Sequence, residues 1–243
     1  MKLTQLELNA DFPDQTGINI LIADMTALAA MVEADIENQV LRRAYVRAGL
    51  AMVQGLTDYM KQFAHDFASG IILPLQRHLG PIIHHCPIEF LTQTITHTEL
   101  ALLRDEQARV KSNGTIVTST GYLDFKTNIK FLISEYCKIF TISHSFDLST
   151  DVGWTSLMNS VDIRNRIMHP KTTENVEITD KEILIVRDGM QWLLNFYGSL
   201  ISSMSEKLPI IQQDMLDWVA EIQPNLLDEA REFVAAGNQQ IQG

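Results

Sequence analysis

The segment Ile163-Arg164-Asn165-Arg166-Ile167-Met168-His169-Pro170-Lys171 gathers residue types able to move protons and hold an anion. A permanent cation, an amide and an imidazole fall within two helical turns. Asn165 and His169 are four apart and so share one face of a helix. Arg164 precedes His169 by five residues, about 7.5 Å along an ideal helix axis, which an arginine side chain can span. Arg166 and Lys171 add two flanking cations, with Asp162 as the acid close by. These groups suit cleavage of an RNA phosphodiester, because RNA supplies its own nucleophile, the 2′-OH. The protein then needs a group that exchanges protons near neutral pH, which histidine is. It also needs a fixed guanidinium to bind the charged phosphorane through two parallel bonds. No metal and no cofactor is required by this chemistry.

The elements around the segment read as helices. Trp154 to His169 forms one, and Pro170 ends it, because the residue before a proline is pushed away from helical torsions. Thr179 and Glu182 have the spacing of a capping box opening a long helix, whose apolar stripe is Ile183, Met190, Leu193, Tyr197, Leu200 and Met204. Asp124 to Ser143 is helical, with Ile129, Leu132, Tyr136, Ile139 and Phe140 on one face. Residues 25–67 lack proline and read as helix with a break. Leu41, Tyr45, Ala48, Met52, Leu56, Tyr59 and Phe63 trace an apolar stripe there. Gly49 and Gly55 interrupt it at about 1 kcal/mol each relative to alanine, a loss that close helix packing can offset. Met1 to Asp24 reads as an irregular extension with one apolar run, Ile18 to Ala23. Pro74, Gly80, Pro81 and Pro87 punctuate residues 70–90, and a short helix follows near Thr98 to Glu106. Arg109 to Thr120 alternates around Asn113-Gly114, a hairpin signal. Pro209 and Pro224 each open a further helix at the C-terminal end. The expected fold class is all-α: a helix bundle with a small β-hairpin insertion and extra C-terminal helices. The expected division is an extension over 1–30, a helical domain over 31–206 and a C-terminal extension over 207–243.

Composition limits the partners. The 243 residues include 19 Lys+Arg and 30 Asp+Glu, a formal charge of −11. A chain this acidic is repelled by a polyanion overall, so nucleic-acid binding requires a local basic patch. Arg42, Arg43 and Arg47 form an acid-free basic stretch, readable as a solvated helix face or as an RNA-steering patch. The two cysteines, Cys86 and Cys137, permit one disulfide and no disulfide framework. His84-His85-Cys86 with His97 lacks the spacing of a structural zinc site. No signal peptide and no apolar stretch of membrane-spanning length is read from the chain, which places it in the cytoplasm, away from membranes.

The sequence resembles the HEPN superfamily, whose ribonuclease members carry R-x-x-x-x-H with a polar residue after the arginine. Arg164, Asn165 and His169 fit that pattern, followed by Pro170-Lys171. Leu41 to Ala48 looks like the family's first core helix, Lys126 to Phe140 like the helix before the motif, and Thr179 to Met204 like the one after it. The resemblance implies a four-helix core that pairs as a homodimer across a two-fold axis, with one composite site. It implies a metal-independent endoribonuclease leaving a 2′,3′-cyclic phosphate, of the toxin-antitoxin or antiviral-defence kind. An antitoxin or other regulatory protein is then the partner besides RNA. Arg164, His169 and Asn165 are the expected catalytic residues; Arg166, Lys171, Arg47, Arg43 and Gln54 are expected to bind RNA. Many relatives carry a glutamate on the first helix. Gln54 stands at the matching place, with Asp58 a turn later.

Blander readings exist for each residue. His169 also fits a cation favoured by a helix C-terminus, Arg164 a salt-bridge residue, and Trp154 and Trp192 core aromatics. A catalytically inactive HEPN module binding a nucleotide, RNA or protein partner is the alternative function, and a helical scaffold with a coincidental motif is a third.

Overall fold

The structure, a computed structural model, describes residue 3 and residues 15–73, 76–77, 95–110, 112, 115–121, 123–142, 148–222, 224–228, 230–232 and 234–235. Over these residues the chain is mostly helical. In order, α1 is Gln15–Ala34 and α2 is Gln39–Phe67, which runs into a π-helical turn, Ala68–Ile72. After it come α3 (His97–Leu103), β1 (Glu106–Val110), β2 (Ile116–Thr120), α4 (Phe125–Ile139) and α5 (Val152–Met168). A 3-10 turn at Thr173–Val176 then leads to α6 (Asp180–Ile222) and a last 3-10 turn, Pro224–Leu226. Contacts divide the chain into two units, Met1–Leu56 with Ser145–Ile201 and Thr57–His144 with Ser202–Gly243. The boundaries expected after residues 30 and 206 fall inside α1 and α6.

In the first unit, the core is built from α1, the first half of α2, α5 and the first half of α6. The N-terminal region is not irregular up to Asp24 as expected, since helix begins at Gln15. Ile18, Met25, Ala29 and Val32 recur at steps of seven, four and three, and all are buried. That stripe is what makes α1 a helix in a segment without strong capping signals. A second expectation is also corrected. Gly17–Ala34 is long and apolar enough, by length and composition, to cross a membrane. Asp24 cuts the apolar run short, but Asp24 and Glu33 are the only charges in this alanine-rich stretch.

On α2 the expected stripe is rotated slightly. Tyr45, Met52 and Leu56 are buried, while Leu41, Ala48, Tyr59 and Phe63 are half-buried. The centre of the buried face is Val46, Leu50, Val53, Met60, Ala64 and Phe67. Gly49 earns its place by packing, since a Cβ there would lie 2.3 Å from the Met190 sulfur. The expected stripe of α6 is buried along its whole length, from Ile183 to Met204. Trp154 meets Trp192 edge-on with ring centroids 5.9 Å apart, and Trp192 stacks on Phe196 at 5.2 Å, so the tryptophans pack among core aromatics.

The second unit holds the rest of α2 and α6 with α3, the hairpin and α4. β1 and β2 pair antiparallel in a register from Glu106↔Thr120 to Val110↔Ile116, so a hairpin forms as expected but its first strand begins three residues before Arg109. The turn residues Asn113-Gly114 lie outside the described residues. So do Pro74, Gly80, Pro81, Pro87 and His84-His85-Cys86. Cys137 is a free thiol. Thr96 and Glu99 form a capping box that starts α3. In α4, Ile129, Leu132, Tyr136 and Ile139 are buried as expected, and the Tyr136 hydroxyl donates to the Met60 carbonyl. Two charged groups are buried as well. Lys61 is ion-paired with Asp105, whose φ of 54° lies in the left-handed region. Glu135 and Asn128, each 4% exposed and two turns apart on α4, both keep a side-chain oxygen without a hydrogen-bond partner.

Pro209 does not open a new helix. It lies inside α6, which is 43 residues long and runs on to Ile222. A proline removes one i→i−4 bond and bends a helix without always ending it. Buried Met215, Trp218 and Val219 beyond it, at steps of three and one, hold the continuation in the core.

Candidate active site

α5 carries the motif, and three local devices fix it. Its start is capped by Asp151, whose carboxylate accepts from the Trp154 amide at 2.9 Å. Its middle lies close against α6. The Ser160 hydroxyl donates to the Ser156 carbonyl at 2.7 Å and approaches the Ile185 carbonyl of α6 at 3.3 Å. One turn further along α6, a Cβ on Gly189 would stand 2.7 Å from the Leu157 Cα, so only glycine lets the two backbones approach this far. Its end is His169, with φ −127° and ψ 60°, outside helical torsions as its place before Pro170 requires. The His169 amide still donates to the Asn165 carbonyl at 3.0 Å. The imidazole therefore sits at the last turn, one turn above Asn165.

Arg164, Asn165, His169 and Lys171 are all exposed, while Ile163 and Ile167 between them are buried. The helix thus turns its apolar residues inward and leaves its reactive types in solvent. The Arg164 guanidinium donates to the Asn165 side-chain oxygen at 3.1 Å. Among the described residues no hydrogen bond joins Arg164 to His169 directly; Asn165 is bonded to both, by its side chain to the arginine and by its backbone to the histidine.

The other cations expected at the site are placed differently. Arg166 turns away along the chain, and its guanidinium donates to the Asn175 and Glu177 carbonyls at 3.0 and 2.9 Å and pairs with Glu182 at 2.6 Å. Arg42 is buried, donating to the Ile178 carbonyl at 2.6 Å and pairing with Asp180 at 2.5 Å. Arg43 donates to the Val176 carbonyl at 3.2 Å. Arg47 is exposed and reaches the Ile167 carbonyl at 3.5 Å, a long contact. The basic stretch of α2 is neither a solvated face nor an open patch along its whole length. Arg42 and Arg43 lie against the chain between α5 and α6, and Arg47 reaches the last turn of α5. Gln54 is exposed on α2, eleven residues beyond Arg43 and seven beyond Arg47, hence on the same face.

Sequence reasoning missed Asn175. Its side-chain oxygen accepts from the Lys171 and Thr172 amides at 3.0 and 3.3 Å, folding the chain back just after Pro170. The signal was present as Thr172 and Asn175 at capping-box spacing. No group of three or more His, Cys, Asp or Glu among the described residues could hold a metal ion.

The class that fold and site define is a mostly helical protein with an exposed Arg-Asn pair and a histidine at a proline-ended helix terminus. Comparison with known proteins found no matching family model, no matching curated protein and no matching solved structure.

Proposed function

We propose that the chain is a metal-independent endoribonuclease of the HEPN kind, with His169, Arg164 and Asn165 as its reacting groups. The observation that carries this reading is the exposure of those three side chains at one braced helix end. A buried site would exclude a polymer, and a helix end that frayed would not hold the groups in register.

In this mechanism an imidazole takes the proton of the 2′-OH as that oxygen attacks phosphorus. The bond from phosphorus to the 5′-oxygen breaks, an imidazolium returns a proton to it, and the products carry a 2′,3′-cyclic phosphate and a 5′-OH. Arg164 neutralises the phosphorane oxygens. Asn165 holds the guanidinium from its own side. Two copies of the motif brought together by a homodimer would supply one histidine as base and a second as acid. Cytoplasmic location, and restraint by an antitoxin or other regulatory protein, belong to the same reading.

The alternative, an inactive module that binds a nucleotide, RNA or a protein, is favoured by one observation. Arg166 and Arg43, expected to bind RNA, are engaged by carbonyls, which thins the positive charge available to a long anion.

Cleavage of total RNA by wild type and by His169→Ala tests both. The mutant should lose at least about 10²- to 10⁴-fold in rate while its circular dichroism is unchanged. Equal cleavage by two folded proteins would remove His169 from the mechanism. Chelation should leave the rate intact, and sedimentation should show a dimer at micromolar concentration.

A further inference from the structure

The link between α5 and α6 is short, polar and exposed, yet the four consecutive carbonyls from Asn175 to Ile178 are each met by an arginine or an amide side chain. Arg166 takes the carbonyls of Asn175 and Glu177, and Arg43 that of Val176. Arg42 and Gln39 share that of Ile178. Glu182 ties the assembly to α6: it pairs with Arg166 at 2.6 Å, and its second oxygen accepts from the Thr179 amide at 2.9 Å. Asn175 closes the loop at its other end by holding the Lys171 and Thr172 amides. Pro170 and His169 lie directly between this braced segment and the last turn of α5. The histidine is therefore fixed from both sides, by helix on one and by the arginine-bound loop on the other.

From this we infer that Arg166, with Asn175 and Glu182, positions the His169 imidazole and does not bind RNA. The inference rests on the ribonuclease reading for its kinetic part only. Both terminal nitrogens of Arg166 are engaged: one serves the Asn175 and Glu177 carbonyls, and the other serves the Glu182 carboxylate. A phosphate could take the fork formed by those two nitrogens only by releasing the loop. Lys171 is different, since its exposed side chain can meet a phosphate without disturbing the loop. Two cations flanking one histidine thus have separate jobs, one holding the chain and one facing solvent.

The experiment compares Arg166→Lys, Asn175→Ala, Glu182→Gln and Lys171→Gln. Amide hydrogen exchange over residues 171–178 and the His169 ring resonance in NMR are read in every variant, without RNA. Arg166→Lys keeps the charge but cannot serve two carbonyls and a carboxylate at once. It should speed exchange across the loop and shift the His169 resonance. Asn175→Ala leaves the helices alone and should speed exchange at Lys171 and Thr172, which guards against a variant that simply unfolds. Glu182→Gln leaves one acceptor oxygen where the carboxylate uses two, so it loses either the Arg166 pair or the Thr179 cap and should speed exchange across the loop. In cleavage assays, Arg166→Lys and Asn175→Ala should lower kcat by about ten- to a hundredfold with KM unchanged, as expected for a displaced reacting group. Lys171→Gln should raise KM and lower the salt dependence of RNA binding by about one counterion, with no change in exchange. Unaltered exchange and an unaltered His169 resonance in Arg166→Lys would overturn the inference. So would loss of a counterion from its RNA binding. If wild type cuts no RNA, the ribonuclease reading fails, and the exchange and NMR results still decide whether Arg166 holds the histidine.

Discussion

The two units bury different kinds of charge. The first keeps its reactive groups in solvent and turns most of its arginines, buried Arg42 among them, onto backbone carbonyls. The second takes an ammonium and a carboxylate inside: Lys61 is 1% exposed, and Glu135 is 4% exposed. Guanidinium suits the first task, because it is weakly hydrated and offers a planar set of donors. Ammonium and carboxylate suit the second poorly, since both lose much hydration on burial. The contrast suggests that the first unit is organised around a site and that the second carries an electrostatic strain sensitive to pH.

The largest effect should come from breaking the buried pair. Asp105→Asn keeps a residue type that tolerates a left-handed φ but leaves the Lys61 ammonium buried without a counter-charge. Denaturation should show a loss of about 3 kcal/mol. RNA cleavage per folded molecule should be unchanged, and a drop in it would show that the pair serves the site as well. Next is Gly189→Ala. The added methyl meets backbone of α5 and should cost about 1–3 kcal/mol through overpacking. Because α5 carries the motif, cleavage should fall with it; a stable, fully active variant would mean that α5 and α6 can separate without cost.

Glu135 sharpens the comparison through pH. Burial, reinforced by the nearby Glu99 carboxylate and opposed by Lys138, pushes its carboxyl up from 4.5 to about 7. A carboxyl raised in the folded state binds its proton more tightly there than in the unfolded chain. Its contribution is therefore fully present below about pH 4.5, falls as pH rises toward 7, and stays lost above. Glu135→Gln should flatten that fall and raise the melting temperature at pH 8, measured by calorimetry across pH 5–8. A wild-type slope of the opposite sign would overturn the assignment. Smallest is the cap of α5. Asp151→Ala should cost about 1 kcal/mol, with a frayed helix start far from His169 and little change in rate.

Much of this was legible in the chain before the fold was known. The helix ending at His169 follows from Pro170, the opening of α6 from Thr179 and Glu182, and the hairpin from alternating residues around Asn113-Gly114. Each rests on a local rule. What was not legible depends on distant partners. Arg42, Arg43 and Arg47 look identical in sequence, and only the carbonyls of residues 167–178 separate buried Arg42 from exposed Arg47. Gly189 sits unremarked between Asp188 and Met190 until the α5 backbone is placed beside it. Pro209 reads as a helix start by its type, and the apolar residues after it decide otherwise. The exposed cluster of Arg164, Asn165 and His169 at one helix end could be expected from spacing; the loss of Arg166 to the α5–α6 link could not.

The π-helical turn Ala68–Ile72 that closes α2 has a bearing on the lineage of this chain. Such a turn accommodates one residue more than an α-helical turn does. It is the usual geometric trace of a single-residue insertion that a helix absorbed without unravelling. Removing one residue there would restore α-helical pairing and rotate the chain leaving at Leu73 by about 100°. Sequences related to this one should therefore differ in length by one at residues 68–72 more readily than anywhere else in α2, and those lacking the extra residue should enter the following segment in a different direction.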